Sequence, residues 1–152
     1  MNYYSKKTLF GDITIAEEKG YVTSLFWGDG KLCGNNFLSE TLEHAFTQLD
    51  EYFNGCRKEF DLLLQPEGTE FQSKVWNAIR EIEYGKTISY KYIAEKIGNK
   101  KACRAVGMAC GRNRIAIFIP CHRVIGSDCK IGGYAYGIKN KELLLSLEKR
   151  NL

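Results

Sequence analysis

Long hydrophobic runs, proline and histidine are all scarce in this chain of 152 residues. Its longest apolar run, residues 115–119, is far shorter than the roughly 18 apolar residues of a membrane span, so we expect no membrane association. With only two prolines and 15 glycines, collagen-like and proline-rich classes are excluded. The two histidines and the lack of a C-x-x-C pair argue against zinc, which needs three or four suitably spaced ligands. We therefore expect no metal and no cofactor.

The N-terminus also lacks an apolar stretch behind its lysines, so it gives no indication of a secretory signal. We expect the six cysteines to be reduced thiols in the cytoplasm rather than a disulfide framework. An apolar fraction of 44% and a charged fraction of 26% are ordinary for globular proteins and exclude a largely disordered chain.

Charge is distributed unevenly along the chain. Residues 1–68 hold 6 Lys/Arg and 11 Asp/Glu, a net charge of −5, whereas residues 69–152 hold 16 and 7, a net charge of +9. A breaker-rich segment, residues 65–68, separates the two halves. We predict two domains, residues 1–66 and residues 67–152, of which only the second meets a polyanion. The alternative is a basic surface that contacts only solvent.

Strand-like segments open the N-terminal half. Residues 9–15 and 21–27 predict two strands joined by a hairpin turn, and residues 59–64 predict a third strand. Ser39 can cap a helix whose apolar residues follow the 3.6-residue period as far as Gly55. This half is therefore predicted to be a small sheet with one helix, and it holds no catalytic constellation.

The C-terminal half carries helical signals. Thr69 and Gln72 form a capping box ahead of one helix, and Ser89 can cap the next. A third helix is predicted over residues 101–110, and the last two with the Gly98 turn between them are typical of a helix-turn-helix. A final helix, residues 141–150, is predicted to direct three leucines inward: Leu143, Leu144 and Leu147.

The third helix of this half has an unusual surface. Basic residues at its start suit contact with phosphates, and the small residues behind them let the backbone approach a groove closely. A tightly packed internal helix would use small residues equally well, so this pattern alone does not separate the two interpretations.

Cys121 has the strongest local case for an activated thiol. The apolar run 115–119, which predicts a buried strand, leads into Pro120 and Cys121, and His122 and Arg123 follow directly. Cationic and hydrogen-bonding neighbours lower a thiol pKa and favour the nucleophilic thiolate. The other cysteines lack this setting: Cys33, Cys56, Cys103, Cys110 and Cys129, the last in a loop beside Asp128.

Two other interpretations of Cys121 remain open at this point. A buried structural cysteine fits the local sequence as well as a reactive one does. A cysteine hydrolase would need a base that is distant in sequence, and His44 is the only candidate.

The segment Pro120-Cys121-His122-Arg123-Val124 resembles the active-site motif of the O6-alkylguanine-DNA alkyltransferases. The resemblance covers roughly residues 69–150 in order, whereas the N-terminal half matches only in general plan. The further matching segments are Ile88-Ser89-Tyr90, Gly98-Asn99, Arg104-Ala105-Val106-Gly107, Asn113, Gly132-Gly133-Tyr134, Lys141-Glu142 and Glu148. The resemblance implies an α+β fold, with a small ribonuclease H-like sheet-and-helix domain followed by a mainly helical, winged-helix-like domain.

The resemblance also implies direct-reversal DNA repair. The alkyl group of O6-alkylguanine, with O4-alkylthymine as a second candidate, would pass irreversibly to Cys121 in a single turnover. His122 would deprotonate the thiol through a bridging water, and Glu148 would orient His122. Tyr90 would assist departure of the guanine, and Asn113 would hold the turn before the active-site segment. The base pocket would be formed by Val124, Tyr134, Ala135 and Tyr136. The side chain of Tyr136 would either narrow the pocket or swing outward to solvent.

The implied partner is double-stranded DNA, bound through its minor groove by a monomer. The target nucleotide must be flipped out of the stack, and Arg104 would fill the space that it leaves. The remaining implied DNA contacts are Ser89, Lys100, Lys101, Ala105 and Gly107. The sequence departs from the family at Arg114, where a proline is usual.

Two functional alternatives belong to other classes. A lesion-binding module without activity would not need Cys121, His122 and Glu148 together. A thiol hydrolase unrelated to DNA would leave the charge of the basic half unexplained.

Overall fold

The computed structural model describes residues 1–126 and 132–152, which divide into two compact units. The first consists of Met1–Pro66 with Arg114–Phe118, and the second of Glu67–Asn113 with Ile119–Leu152. The segment 114–118, which the sequence assigns to the second domain, is thus part of the first unit. Asp128 and Cys129 lie outside the described residues. No helix within the described ranges is long and apolar enough to cross a bilayer.

The first unit contains a four-stranded sheet in the order β3-β2-β1-β4. Strands β1 (Asn2–Thr8), β2 (Gly11–Glu18) and β3 (Tyr21–Trp27) are antiparallel, and the short β4 (Asn35–Asn36) runs parallel to β1. Sequence analysis missed β1 because Tyr3 is its only buried residue and the hydrophobic alternation is weak.

The helix on this unit forms as predicted. Helix α1 spans Glu40–Phe53, and the Ser39 hydroxyl accepts a hydrogen bond from the backbone N–H of Leu42. Its buried face consists of Leu42, Ala45, Phe46, Leu49, Tyr52 and Phe53. The periodic apolar spacing therefore corresponds to real burial.

Residues 59–64 do not form the predicted strand. Leu64 makes a single parallel bridge with Val22. The side-chain amide of Gln48 binds the backbone of Asp61 with two hydrogen bonds. It accepts one from the Asp61 N–H at 2.9 Å and donates one to the Asp61 carbonyl oxygen at 3.1 Å. These backbone groups are therefore satisfied by a side chain instead of a neighbouring strand.

The run 115–119 is buried, but the prediction of a strand is wrong there too. Ile115 makes only an isolated bridge with Leu25. Ile117 then takes a φ of +70°, and the N–H of Phe118 donates to the carbonyl oxygen of Ala116 at 2.7 Å. A β-branched residue in the left-handed region cannot continue an extended strand, so the chain turns immediately before Pro120 and Cys121.

The second unit is mainly helical. Its helices are α2 (Glu70–Arg80), α3 (Tyr90–Lys96), α4 (Cys103–Gly111) and α5 (Ile138–Arg150). The capping box of Thr69 and Gln72 is present at α2, and the Ser89 hydroxyl caps α3. Two short parallel strands complete the unit, namely β5 (Ile88–Ser89) and β6 (Val124–Ile125).

Helices α3 and α4 form the helix-turn-helix, and α2 supports it. The indole N–H of Trp76, which is 2% exposed, donates to the carbonyl oxygen of Ala109 at 2.9 Å. On α5, Leu144 and Leu147 are buried as predicted, whereas Leu143 is 44% exposed. The prediction that the Leu143 side chain points inward was wrong, because Lys141 and Glu148 take part in the buried face of α5.

Candidate active site

A cavity of about 410 Å³ in the second unit brings together residues from α3, α4, the active-site segment and the segment before α5. Its lining residues are Tyr90, Gly107, Cys110, Gly111, Cys121, Gly133, Tyr134 and Ala135. Cys121 opens a single-turn 3-10 helix, Cys121–Arg123, and is only 4% exposed. The one thiol that the sequence singled out therefore faces a partly open cavity large enough for a small ligand.

Asn113 holds the sulfur of Cys121. Its amide Nδ2 donates to Cys121 Sγ at 3.1 Å and to the carbonyl oxygen of Ile119 at 2.9 Å. Burial raises the pKa of the Cys121 thiol to about 11, although the Asn113 hydrogen bond and the charge of Lys141 act in the opposite direction. At rest, the sulfur is therefore protonated, and a base is required to generate the thiolate.

His122, the residue after Cys121, forms a buried pair with Glu148. His122 Nε2 lies 2.6 Å from Glu148 Oε2, and the two side chains are 0% and 1% exposed. Burial lowers the pKa of His122. Burial also acts to raise the pKa of Glu148, but the hydrogen bonds and charges of His122 and Arg123 lower it to about 2. Because an ionised carboxylate only accepts, Nε2 carries the hydrogen and donates a hydrogen bond to Glu148 Oε2.

This tautomer leaves His122 Nδ1 unprotonated. Nδ1 is buried and has no hydrogen-bond partner among the described residues. A neutral imidazole whose other nitrogen is fixed by a carboxylate has the arrangement of a general base.

Arg123 fixes the carboxylate from the opposite side. Its Nε and one terminal nitrogen donate to the two Glu148 oxygens at 2.9 and 3.0 Å, and its other terminal nitrogen donates to the carbonyl oxygen of Ile82 at 2.7 Å. The N–H of Gly85 also donates to Glu148 Oε1 at 3.0 Å. Such a bidentate pair with further donors sets both the charge and the orientation of Glu148.

Lys141 is a buried cation at the same site. Its Nζ donates to the carbonyl oxygens of Val124 and Gly133 at 2.7 and 3.0 Å, and the side chain is fully buried. Burial lowers its pKa. The ammonium thus joins β6 to the pocket wall, and when charged it favours the ionised form of Cys121.

Sequence reasoning missed the roles of Arg123 and Lys141. Both lie in segments that carry the family resemblance, but their partners include backbone carbonyl oxygens. Only the fold determines which carbonyls they meet, so no residue pattern predicts these contacts.

Tyr90 begins α3 and lines the cavity. Burial, with the neighbouring thiols, raises its pKa to about 12, so the phenol stays protonated and can donate. Gly132, at φ +71°, lies close by, and an added Cβ there would come 3.2 Å from the Tyr90 hydroxyl. Glycine therefore provides both the backbone conformation and the space at this position.

The other predicted pocket residues separate into two groups. Tyr134 and Ala135 line the cavity, and Val124 is buried, with its carbonyl oxygen bound to Lys141. Tyr136 does not line the cavity. Its ring packs edge-to-face on Tyr134 with centroids 5.5 Å apart, and its hydroxyl donates to the carbonyl oxygen of Asn113 at 2.7 Å.

The predicted DNA contacts lie in and around α3 and α4. Arg104 and Ala105 are exposed on α4, and Lys100 and Lys101 are exposed in the turn before it. The first turn of α4 has no side-chain cap. Two predicted contacts have structural roles as well, because the Ser89 hydroxyl caps α3 and Gly107 lines the cavity.

Two family models match this chain. The ribonuclease-like domain of 6-O-methylguanine DNA methyltransferase matches residues 1–66, and the DNA binding domain of the same family matches residues 70–150.

Individual relatives match over almost the whole chain. The constitutive methylated-DNA–protein-cysteine methyltransferase of Bacillus subtilis is 47% identical over 160 residues, covering 98% of this chain and 96% of its own. The methylated-DNA–protein-cysteine methyltransferase of Methanosarcina mazei is 44% identical over 151 residues, covering 97% and 96%. A crystal structure of Mycobacterium tuberculosis OGT in complex with DNA has a TM-score of 0.93 at 40% identity, covering 99% of this chain and 94% of its own.

Proposed function

This chain belongs to the 6-O-methylguanine DNA methyltransferase family, and we propose that Cys121 is the residue to which it transfers the alkyl group of damaged DNA. Its activity is direct-reversal repair by a suicide methyltransferase. One observation carries the assignment to Cys121: its thiol faces a cavity, bound by Asn113 and followed by a neutral, carboxylate-held His122.

The reaction begins with removal of the thiol proton. His122 Nδ1 takes the proton of Cys121 through a bridging water, and Glu148 stabilises the imidazolium that forms. The Asn113 amide donates to the sulfur as it gains charge. A base is essential here because a thiol of pKa about 11 holds almost no thiolate at neutral pH.

The thiolate then attacks the alkyl carbon of O6-alkylguanine. The S–C bond forms as the C–O6 bond breaks, and the electron pair of that bond remains on the guanine. The guanine then takes up a proton, and the His122 imidazolium gives up the one that it removed from Cys121. The protonated hydroxyl of Tyr90 donates a hydrogen bond to the departing purine. The product thioether has no leaving group that the site can activate, so each chain reacts once.

DNA binds to the helix-turn-helix of the second unit. We place α4 in the minor groove, with Arg104 filling the space of the flipped nucleotide and Ala105 allowing close approach. Lys100, Lys101 and the uncapped first turn of α4 suit contact with phosphates. The protein acts as a monomer in the cytoplasm, where the acceptor thiol stays reduced.

The test uses duplex DNA that carries radiolabelled O6-methylguanine. Label should move to the protein up to one equivalent per chain, and peptide mapping should place it on Cys121. Cys121→Ala should abolish transfer but keep most of the DNA affinity, while Cys103→Ser, which alters an exposed thiol, should keep full stoichiometry.

Two outcomes contradict the proposal. Label on another cysteine would overturn the assignment of the acceptor. Binding of the damaged duplex by the natural chain without transfer would indicate a lesion-binding module instead.

A further inference from the structure

Tyr136 is connected to the acceptor thiol through one residue. Its hydroxyl donates to the backbone carbonyl oxygen of Asn113 at 2.7 Å, and the side-chain amide of Asn113 donates to Cys121 Sγ at 3.1 Å. Asn113 is 2% exposed. One buried asparagine is thus held by Tyr136 through its main chain while its side chain holds the nucleophile.

The backbone of Tyr136 is itself fixed. Asn140, in the first turn of α5, donates from Nδ2 to the carbonyl oxygen of Tyr136 at 2.8 Å. The N–H of Gly137 donates to the carbonyl oxygen of Tyr134 at 3.0 Å. The phenol is therefore a short rigid link between α5 and the turn that follows α4.

Asn113 needs such a link because the chain around it is irregular. It follows the end of α4, where its N–H reaches the carbonyl oxygen of Cys110 at the long distance of 3.3 Å. The residue after it is Arg114, so no proline restricts the backbone there. A hydrogen bond from outside the segment replaces that restriction.

We propose that Tyr136 is a positioning residue, whose hydroxyl holds Asn113 in the place where its amide stabilises the Cys121 thiolate. This role rests on the proposed function of Cys121 as alkyl acceptor. It differs from that of a pocket wall, because it acts on the nucleophile and not on the space available to the substrate. Removing the hydroxyl should therefore change how transfer depends on pH.

Tyr136→Phe removes only the hydroxyl and keeps the ring. The backbone of Asn113 then loses the hydrogen bond from Tyr136, and the bond from its amide to Ile119 positions that amide without this support. The thiolate is therefore less stabilised, and the thiol pKa rises by about 0.5 unit, within the range of one hydrogen bond. Transfer from O6-methylguanine in duplex DNA should be about three-fold slower at pH 7. The loss should stay constant while the thiol is mostly protonated, and it should shrink only as the pH approaches the thiol pKa of about 11. The matched control is Tyr21→Phe, which removes an exposed hydroxyl in the first unit and should leave the pH profile unchanged.

A second measurement identifies Asn113 as the intermediary. Asn113→Ala should slow transfer more than Tyr136→Phe does, and the double variant should be no slower than Asn113→Ala alone. An unchanged transfer rate at pH 7 in Tyr136→Phe, or losses that multiply in the double variant, would overturn the proposal.

Modification of Cys121 by iodoacetamide, followed by peptide mass spectrometry across pH, reads the thiol without DNA. An upward shift of the midpoint in Tyr136→Phe supports the positioning role even if the natural chain fails to repair DNA. An unshifted midpoint with repair intact rejects the role and leaves the proposed function standing.

Discussion

Glu148 shows at the residue scale how one buried charge is shared between stability and chemistry. It accepts hydrogen bonds from His122, Arg123 and Gly85, so its carboxylate is both a structural centre and the partner of the proposed base. Because so many donors bind it, the Glu148 carboxylate stays ionised in the folded chain at low pH. In the unfolded chain the same carboxylate takes up a proton at a higher pH.

We predict that Glu148→Gln lowers the free energy of unfolding by about 3 kcal/mol at pH 7, because Arg123 loses its charged partner. The carboxyl has a pKa of about 2 when folded and 4.5 as its ordinary value, so its contribution is complete above pH 4.5 and declines as the pH falls toward 2. The gap between the natural chain and the variant should therefore narrow at low pH. Urea unfolding at pH 7 and pH 3 measures this.

The matched control is Glu142→Gln, which alters an exposed carboxylate on α5. It should change stability by less than about 0.5 kcal/mol at either pH. A Glu148→Gln difference in unfolding free energy that stayed constant with pH would show that the carboxylate charge contributes nothing.

Burial also lowers the pKa of His122 from its ordinary value of 6.5. Below that pH the unfolded chain binds a proton that the folded chain does not, so the natural chain loses further stability.

At the scale of elements, local signals predicted the helices and failed for the irregular segments. The caps at Ser39, Thr69 and Ser89 lie next to the helices that they begin, so the sequence contains the whole signal. The non-strand conformations of residues 59–64 and 115–119 depend on groups elsewhere in the chain, such as the Gln48 side chain. The family resemblance likewise predicts roles for Cys121, His122 and Glu148, whereas the hydrogen bonds of Lys141 and Tyr136 required the fold.

Helix α4 provides a prediction that separates flipping from chemistry. Arg104→Ala should slow repair of O6-methylguanine in duplex DNA by about ten-fold or more, because holding a base out of the stack costs a few kcal/mol. Transfer from free O6-methylguanine base should change little, since no flipping is needed. Single-turnover rates on both substrates measure the ratio.

Arg80→Ala is the control for α4, because it removes an exposed arginine at the end of α2. Its two rates should match those of the natural chain. If Arg104→Ala slowed both substrates equally, the arginine would have a role other than holding the flipped state.

At the scale of the whole molecule, we expect the charge of the two halves to determine where DNA binds. The basic residues before α4 are exposed and can displace counterions from the phosphates. We predict that Lys100→Ala with Lys101→Ala reduces the slope of log binding constant against log salt by about 1 for each phosphate that the variant no longer neutralises. Fluorescence anisotropy with labelled duplex between about 50 and 200 mM salt measures that slope.

Lys7→Ala with Lys31→Ala removes the same charge from exposed positions of the first unit. For this variant, the slope of log binding constant against log salt should equal that of the natural chain. A reduction of the same size in both pairs would mean that net charge alone governs binding.

The buried face of α5 connects repair competence to local unfolding. Lys141 and Glu148 both project from this helix, so a transient detachment of α5 would separate the base from its carboxylate and the pocket wall from β6. The fraction of molecules ready to react is then set by the opening equilibrium of one helix, whose free energy can lie well below that of global unfolding. Amide hydrogen exchange within Ile138–Arg150 measures that equilibrium. Ageing or heating that opens this helix would therefore reduce reactivity before the core of the protein unfolds.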